Sequence, residues 1–245
     1  MVRTVDHSSR RKAVLAATIN KYIKQASPVA SEDIADEFDL SSATIRNIFV
    51  ELEQDGYLAH PYTSGGRMPT NKGYRYYVDF LTSQIELLDA EKEPIIREYS
   101  KQIDRLEDAL EKTSELISAV THYAGIVYLP QWQDKIFYNG ISFILDQPEF
   151  HDFERMRHLI RMIENKRQLL EIINRDIADS VKIYIGEELD CPEMETCSLV
   201  VSTCRLKNKP AGRLAVLGPM RMEYNRIIPT LEYISEVFNE ALSRI

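Results

Sequence analysis

Three times within the first 56 residues, apolar side chains recur at the spacing of one helical face, and the third recurrence ends on a glycine. Val14, Leu15, Ile19, Tyr22 and Ile23 mark a helix over Ser9 to Lys24. The stretch "SPVASEDIADEFDL" follows, with Ser31 as the expected cap, Glu32 and Asp33 suiting the positive end of a helix, and Ile34, Ala35 and Phe38 on one face. In "LSSATIRNIFVELEQDGYL" a Ser41 cap precedes a stripe of Ile45, Ile48, Phe49 and Leu52, and Gly56 closes the run. Helices this short do not hold their shape alone. Three of them joined by tight connections have to pack their stripes together, which is the tri-helical helix-turn-helix layout.

The stripe of the third helix leaves Ala43, Arg46, Asn47 and Val50 pointing away from the core, with Ser42 and Thr44 at the N-terminal flank. These residue types suit a major groove: arginine can hold guanine bidentately, asparagine can hold adenine, and small methyl groups can touch thymine. The amides of the first turn favour a phosphate. The alternative is a polar face that is merely solvated. Charge does not decide between them, because residues 1 to 80 carry ten Lys and Arg against ten Asp and Glu, and the whole net charge of -8 falls on the remainder.

The next residues favour the groove. "YLAH" reads as a strand, Pro61 to Gly66 as a glycine-rich hairpin, and "RM" as the return strand closed by Pro69. A hairpin directly after a helix-turn-helix is a wing. Gly65 and Gly66 are expected to take positive φ at its tip and let the backbone approach a phosphate, while Arg67 enters a narrow minor groove.

Other classes find little support. The chain is 44% hydrophobic and 28% charged, and no apolar run approaches the roughly eighteen residues of a membrane span, so a soluble, cytoplasmic protein without a signal peptide is expected. Cys191, Cys197 and Cys204 have no paired spacing and read as buried free thiols, and the five histidines are scattered. No metal site, cofactor or catalytic set is expected, and an enzyme has no constellation behind it.

The stretch from "SPVASEDIADEF" through "TSGGRMPTNKGYRYYVDFL" resembles the N-terminal domain of the bacterial heat-inducible transcription repressors of the HrcA family. The resemblance resumes at "LDQPEFHDFERMRHLI", "VKIYIGEEL" and "GRLAVLGPMRMEYNRIIPTLEYISE". It implies a winged-helix domain and a GAF-like domain, repression of chaperone operons by a dimer on an inverted-repeat operator, and assistance from the chaperonin GroEL. Ser42, Ala43, Thr44, Arg46 and Asn47 match the family's recognition-helix motif, and Ser64, Gly65 and Arg67 match its wing. One departure stands out: between "HYAGIVYLPQWQDKIFYNG" and "ISFILDQPEF" the family carries a long segment with further strands and an inserted dimerising domain, and almost nothing of it is present here.

In the linker, Ile103, Leu106, Leu110, Thr113, Ile117 and Val120 alternate in steps of three and four. This stripe is either a dimer seam or a face packed on its own chain. Beyond it, "AGIVYLP", "ISFIL", "VKIYIG", "CSLVVSTCRL" and "RLAVLG" read as strands, with "KNKPAG" as the turn between the last two. Helices are expected over Phe150 to Asn165, Lys166 to Ala178, and Pro229 to the C-terminus. The expected fold class is therefore α+β: a winged helix-turn-helix domain over 1–80, a linker helix over 81–122 and a small, reduced GAF-like domain over 123–245. The expected function is a dimeric operator-binding repressor. The second reading is a winged-helix regulator controlled by a small ligand in the GAF-like domain, although no convergent set of polar residues names that ligand.

Overall fold

The computed structural model describes residues 7–61, 66–82, 85–99, 106–130, 135–176, 181–206 and 209–242. The chain divides at Ser83/Gln84 into two units, each with its own core. In the first, α1 (His7–Gln25), α2 (Ser31–Phe38) and α3 (Ser42–Gln54) bury Val14, Leu15, Ile19, Ile34, Ile45, Phe49 and Leu52 against one another. Strands β1 (Leu58–Ala59) and β2 (Met68–Pro69) form the antiparallel base of a wing, and α4 (Asn71–Leu81) closes the unit.

The local signals account for most of these boundaries. The Ser41 hydroxyl accepts from the Thr44 amide at 3.1 Å, capping α3 as expected. Gly56, at φ +76°, reverses the chain after α3, and the Tyr57 amide returns to the Leu52 carbonyl at 2.9 Å. The cap of α2 differs from expectation: it is Ala30, whose amide donates to the Asp33 carboxylate at 3.0 Å, so Ser31 lies inside the helix. The acid of the first turn thus reaches back to the amide that precedes the helix, as in one half of a capping box.

In the second unit, α5 (Asp89–Tyr99) and α6 (Leu106–Thr121) precede β3 (Ala124–Tyr128), β4 (Ile136–Asn139), α7 (Ile141–Leu145), α8 (Phe153–Glu164), α9 (Lys166–Ile173), β5 (Lys182–Ile185), β6 (Cys197–Leu206), β7 (Lys209–Pro219) and α10 (Tyr224–Leu242). The strands form one antiparallel sheet in the order β4-β3-β7-β6-β5. Alternate strand residues Ala124, Ile126, Leu199, Val201, Ala215 and Leu217 pack with Ile144, Leu159, Met162, Leu169 and Ile172 of α7, α8 and α9. Helices α6 and α10 cover the opposite face, where the Tyr224 and Ser198 hydroxyls meet at 2.6 Å. The expected α+β class is what forms.

Four local expectations are corrected. "ISFIL" is a short helix, because Gly140 at φ +80° turns the chain out of β4 and the spacing of Ile141, Ile144 and Leu145 buries one helical side. The strand that the sequence reading missed is β4, an edge strand whose exposed Tyr138 leaves no clear alternation. Pro210, Ala211 and Gly212 belong to β7 and not to the turn. Helix α10 begins at Tyr224, because buried Tyr224, Ile227 and Ile228 extend it upstream of Pro229. Helices α8 and α9 are also shorter than expected at one or both ends.

The middle of the linker stripe packs on its own chain. Leu110, Thr113 and Ile117 of α6 are buried within the second unit, and Thr113 meets the Tyr99 hydroxyl at 2.7 Å. Ile103 lies outside the described residues. Among the described residues no helix is long and apolar enough to cross a membrane, and no group of three or more His, Cys, Asp or Glu could hold a metal ion.

All three cysteines are free and buried. Burial pushes the Cys197 and Cys204 thiols up to about 12, and burial with the adjacent Glu193 carboxylate pushes Cys191 up to about 11. At pH 8 the thiolate fraction of each in the folded protein is then on the order of 10⁻³ or less. The native protein should leave a chromogenic aromatic disulfide unreacted at pH 8 and consume three equivalents once unfolded in guanidinium. Rapid reaction of any one thiol before unfolding would contradict its burial.

Candidate nucleic-acid interface

Helix α3 presents Ala43, Arg46, Asn47 and Val50 on one exposed side, at the i, i+3, i+4 and i+7 positions of a single helical face. Opposite them Ile45, Ile48, Phe49 and Leu52 are buried, which leaves the helix no rotational freedom about its axis. Val50 keeps 41% of its surface in solvent, an apolar contact set among polar ones. The Asn47 side-chain amide makes no hydrogen bond among the described residues, and the half-buried Ser42 and Thr44 flank the N-terminal turn. Ser42, Ala43, Thr44, Arg46 and Asn47 are thus gathered on one end and side of a helix.

Arg46 pairs with Glu32 of α2 at 3.4 Å, with both side chains about two-thirds exposed. A pair this open contributes little, on the order of 0–1 kcal/mol, and gives way readily to a better acceptor. Residues 39–41 make the turn between α2 and α3. Asp39 in that turn adopts the left-handed conformation, and the Leu40 amide returns to the Ala35 carbonyl at 3.1 Å.

The wing is built differently from the sequence expectation. Arg67 lies at its base and not at its tip: the side chain is only 12% exposed, with Nη2 3.0 Å from the Glu53 carboxylate of α3 and Nη1 2.5 Å from His60 Nδ1. His60 Nδ1 also lies 3.2 Å from the Gly66 carbonyl, so the ring sits between the guanidinium and the wing backbone. The Arg67 backbone also exchanges two hydrogen bonds with Val29, at 2.8 and 2.9 Å, adding a third short segment beside β2. Gly66 does not take positive φ; a Cβ there would stand 2.8 Å from the Pro28 backbone, so the glycine permits close approach to the chain before α2. Ser64 and Gly65 lie outside the described residues.

Three contributors were not visible in the sequence reading. Glu53 and His60 hold Arg67, and Lys72 of α4 donates to the Asp55 carbonyl at 2.8 Å while its ammonium sits 4.5 Å from the Tyr57 ring. None of these has a sequence signal of its own, since a lone Glu or His beside a hairpin is ordinarily a solvated side chain. The Thr70 hydroxyl donates to the Gly56 carbonyl at 2.6 Å and caps α4, tying the wing's exit to the end of α3.

Comparison with known proteins agrees with this geometry. Residues 6–82 match the family model described as the winged helix-turn-helix transcription repressor, HrcA DNA-binding, and residues 131–228 match the HrcA protein C-terminal domain. The heat-inducible transcription repressor HrcA of Geobacter sulfurreducens is 29% identical, with 97% of this chain and 98% of that protein covered. That of Pelotomaculum thermopropionicum is 27% identical over 96% of this chain and 97% of that protein. Both alignments run over 337 positions, more than the 245 residues of this chain, so the relatives carry inserted residues that this chain lacks. A crystal structure of a hypothetical protein at 2.2 Å resolution shares the fold with a TM-score of 0.80, covering 96% of this chain and 98% of that one at 17% identity.

The Glu53–Arg67 contact makes a measurable prediction. In a double-mutant cycle with Glu53→Gln and Arg67→Met, the pair should show a coupling of about 1 kcal/mol in the unfolding of the first unit, at the upper end of what exposed pairs give, because Arg67 is largely shielded from water. Additive losses would mean that the two charges do not hold each other.

Proposed function

The chain belongs to the HrcA family, and on that premise we propose that it is a sequence-specific DNA-binding repressor of heat-shock genes whose first unit reads duplex DNA. The observation that carries the proposal is the exposed side of α3, where Ala43, Arg46, Asn47 and Val50 stand clear of a helix whose other side is buried. A helix held in this way can enter a major groove with those four side chains forward. Arg46 and Asn47 would contact base edges, the Ser42 and Thr44 hydroxyls and the first-turn amides would hold phosphates, and Ser64 and Gly65 would carry the backbone of the wing toward the flanking minor groove.

Arg67 takes a positioning role in this scheme. With its guanidinium tied to Glu53 at the base of the wing, it would set the angle between the wing and α3. Its loss should loosen every phosphate contact the wing makes, without changing which base is preferred. The protein is proposed to act in the cytoplasm as a homodimer on an inverted repeat, where a two-fold operator mirrors a two-fold protein, and to respond to the chaperonin GroEL as the resemblance implies. With Leu110, Thr113 and Ile117 of the α6 stripe buried in the second unit, the dimer contact is proposed to lie elsewhere.

The test is a competition assay against the upstream DNA of the organism's chaperone operons, single-base variants of the protected site and random duplex. Asn47→Ala should relax discrimination by about 1–3 kcal/mol at one base position, while Arg67→Ala should weaken all duplexes by a similar factor. Operator affinity should fall steeply with added salt, as counterion release from phosphate contacts requires. Protection of no upstream site, or an affinity flat between low and moderate salt, would refute the reading. Light scattering at micromolar protein should give a dimer; a monomer with and without operator would remove the two-fold model.

A further inference from the structure

Arg213 is a cation on the central strand of the second unit's sheet, and only 4% of its surface reaches solvent. Among the described residues both side-chain hydrogen bonds come from Nη1, to the Thr203 hydroxyl at 3.1 Å and to the Gly212 carbonyl at 3.2 Å. Its Nε is buried with no hydrogen-bond partner. Among the described residues no carboxylate stands in ion-pair contact with it. A buried charge is ordinarily paired, and a buried arginine presents its Nε–Nη2 edge as a fork matched to a carboxylate.

The surroundings narrow what could complete this arrangement. By strand alternation Arg213 shares the sheet face of Ala215 and Leu217, beneath the α7–α9 layer, and in register it lies between Tyr128 of β3 and Thr203 of β6. Tyr128 is buried and is itself opposite the partly buried Ile136 on the edge strand β4. Asp176, which lies by Tyr184 of the neighbouring β5, accepts from the Tyr184 hydroxyl at 2.7 Å. Burial lowers the pKa of the Arg213 guanidinium, while the Cys204 thiol and Tyr184 phenol partly oppose that shift. Among the described residues the charge is thus left without a full counterpart, in a largely apolar, aromatic setting.

We propose that Arg213 anchors a ligand site in the second unit, its Nε–Nη2 edge holding the carboxylate of a small organic acid whose apolar body lies beside Tyr128. A single fork and a single positive charge suit a planar monoanion better than a phosphate, which would call for further cations or amides. The proposal supplies a ligand chemistry for the reading of this unit as an effector domain. It does not depend on DNA binding, since its test reads only the folded protein.

Because the guanidinium is buried, the probes are small: sodium acetate and sodium benzoate, each against sodium chloride and sodium phosphate at matched ionic strength. The full chain is followed by thermal unfolding and by the ¹⁵N–¹H resonance of arginine Nε, with the Arg213 signal identified as the one lost in Arg213→Met. The expected result is a saturable rise in Tm with at least one carboxylate, accompanied by a shift of the Arg213 Nε–H signal. Arg213→Met should be at least as stable as the parent without ligand and show no carboxylate response, since it removes a charge that lacks a partner. Arg213→Lys keeps the charge without the fork and should weaken the response about tenfold or more, which keeps the test informative if the methionine variant does not fold. No saturable response to either carboxylate, an equal response to phosphate or chloride, or an unchanged response in Arg213→Lys would each overturn the assignment.

Discussion

The burial of Ile45, Ile48, Phe49 and Leu52 along one side of α3 is the constraint on which the rest of the first unit turns. Each such side chain is worth roughly 1.5–3 kcal/mol when removed from water, more than the helix could gain from propensity over thirteen residues. With that side fixed, the direction of every other side chain on α3 follows from helical geometry. The exposed group of Ala43, Arg46, Asn47 and Val50 is therefore a consequence of the core, and the reading face is as rigid as the packing behind it. Gly56 then allows the chain to reverse immediately, so the wing emerges beside the C-terminal end of the same helix.

Electrostatics in this unit are local. Arg11 lies 2.7 Å from Asp55, Lys21 is 3.5 Å from Asp33, and Arg67 is 3.0 Å from Glu53. Several cations of a domain with balanced charge are thus engaged in holding helices and wing together. Arg46, on the exposed face of α3, is held only by a solvent-exposed pair that is easily exchanged. A domain can therefore have no net positive charge and still be organised for a polyanion. What matters is which cations remain weakly paired on one side.

The second unit depends on the long β6–β7 pairing, which runs from Cys197↔Pro219 to Leu206↔Lys209 and places both strands under two helical layers. Strand β7 is central, so its residues alternate between two buried faces, and nearly all are apolar. Arg213 breaks that pattern. A cation in such a position is uncommon in a well-packed sheet.

The amino-acid sequence by itself determined the three helices, the caps at Ser41 and Gly56, the wing, the α+β class and the family, because each rests on short-range spacing or on residue types with one strong backbone preference. Ala43, Arg46 and Asn47 were legible for the same reason: once a stripe is buried, the opposite side of a helix is known. What only the tertiary structure decided involves partners distant in sequence. Arg67 looks like a free wing arginine until Glu53 and His60 are folded against it. The α6 stripe suits a dimer seam or an internal face equally well, and only the sheet beneath it chooses. "ISFIL" became a helix because the left-handed Gly140 and the core at Ile144 outweighed the strand preference of β-branched residues. Periodicity reports which side of an element is apolar, and packing alone determines what covers it.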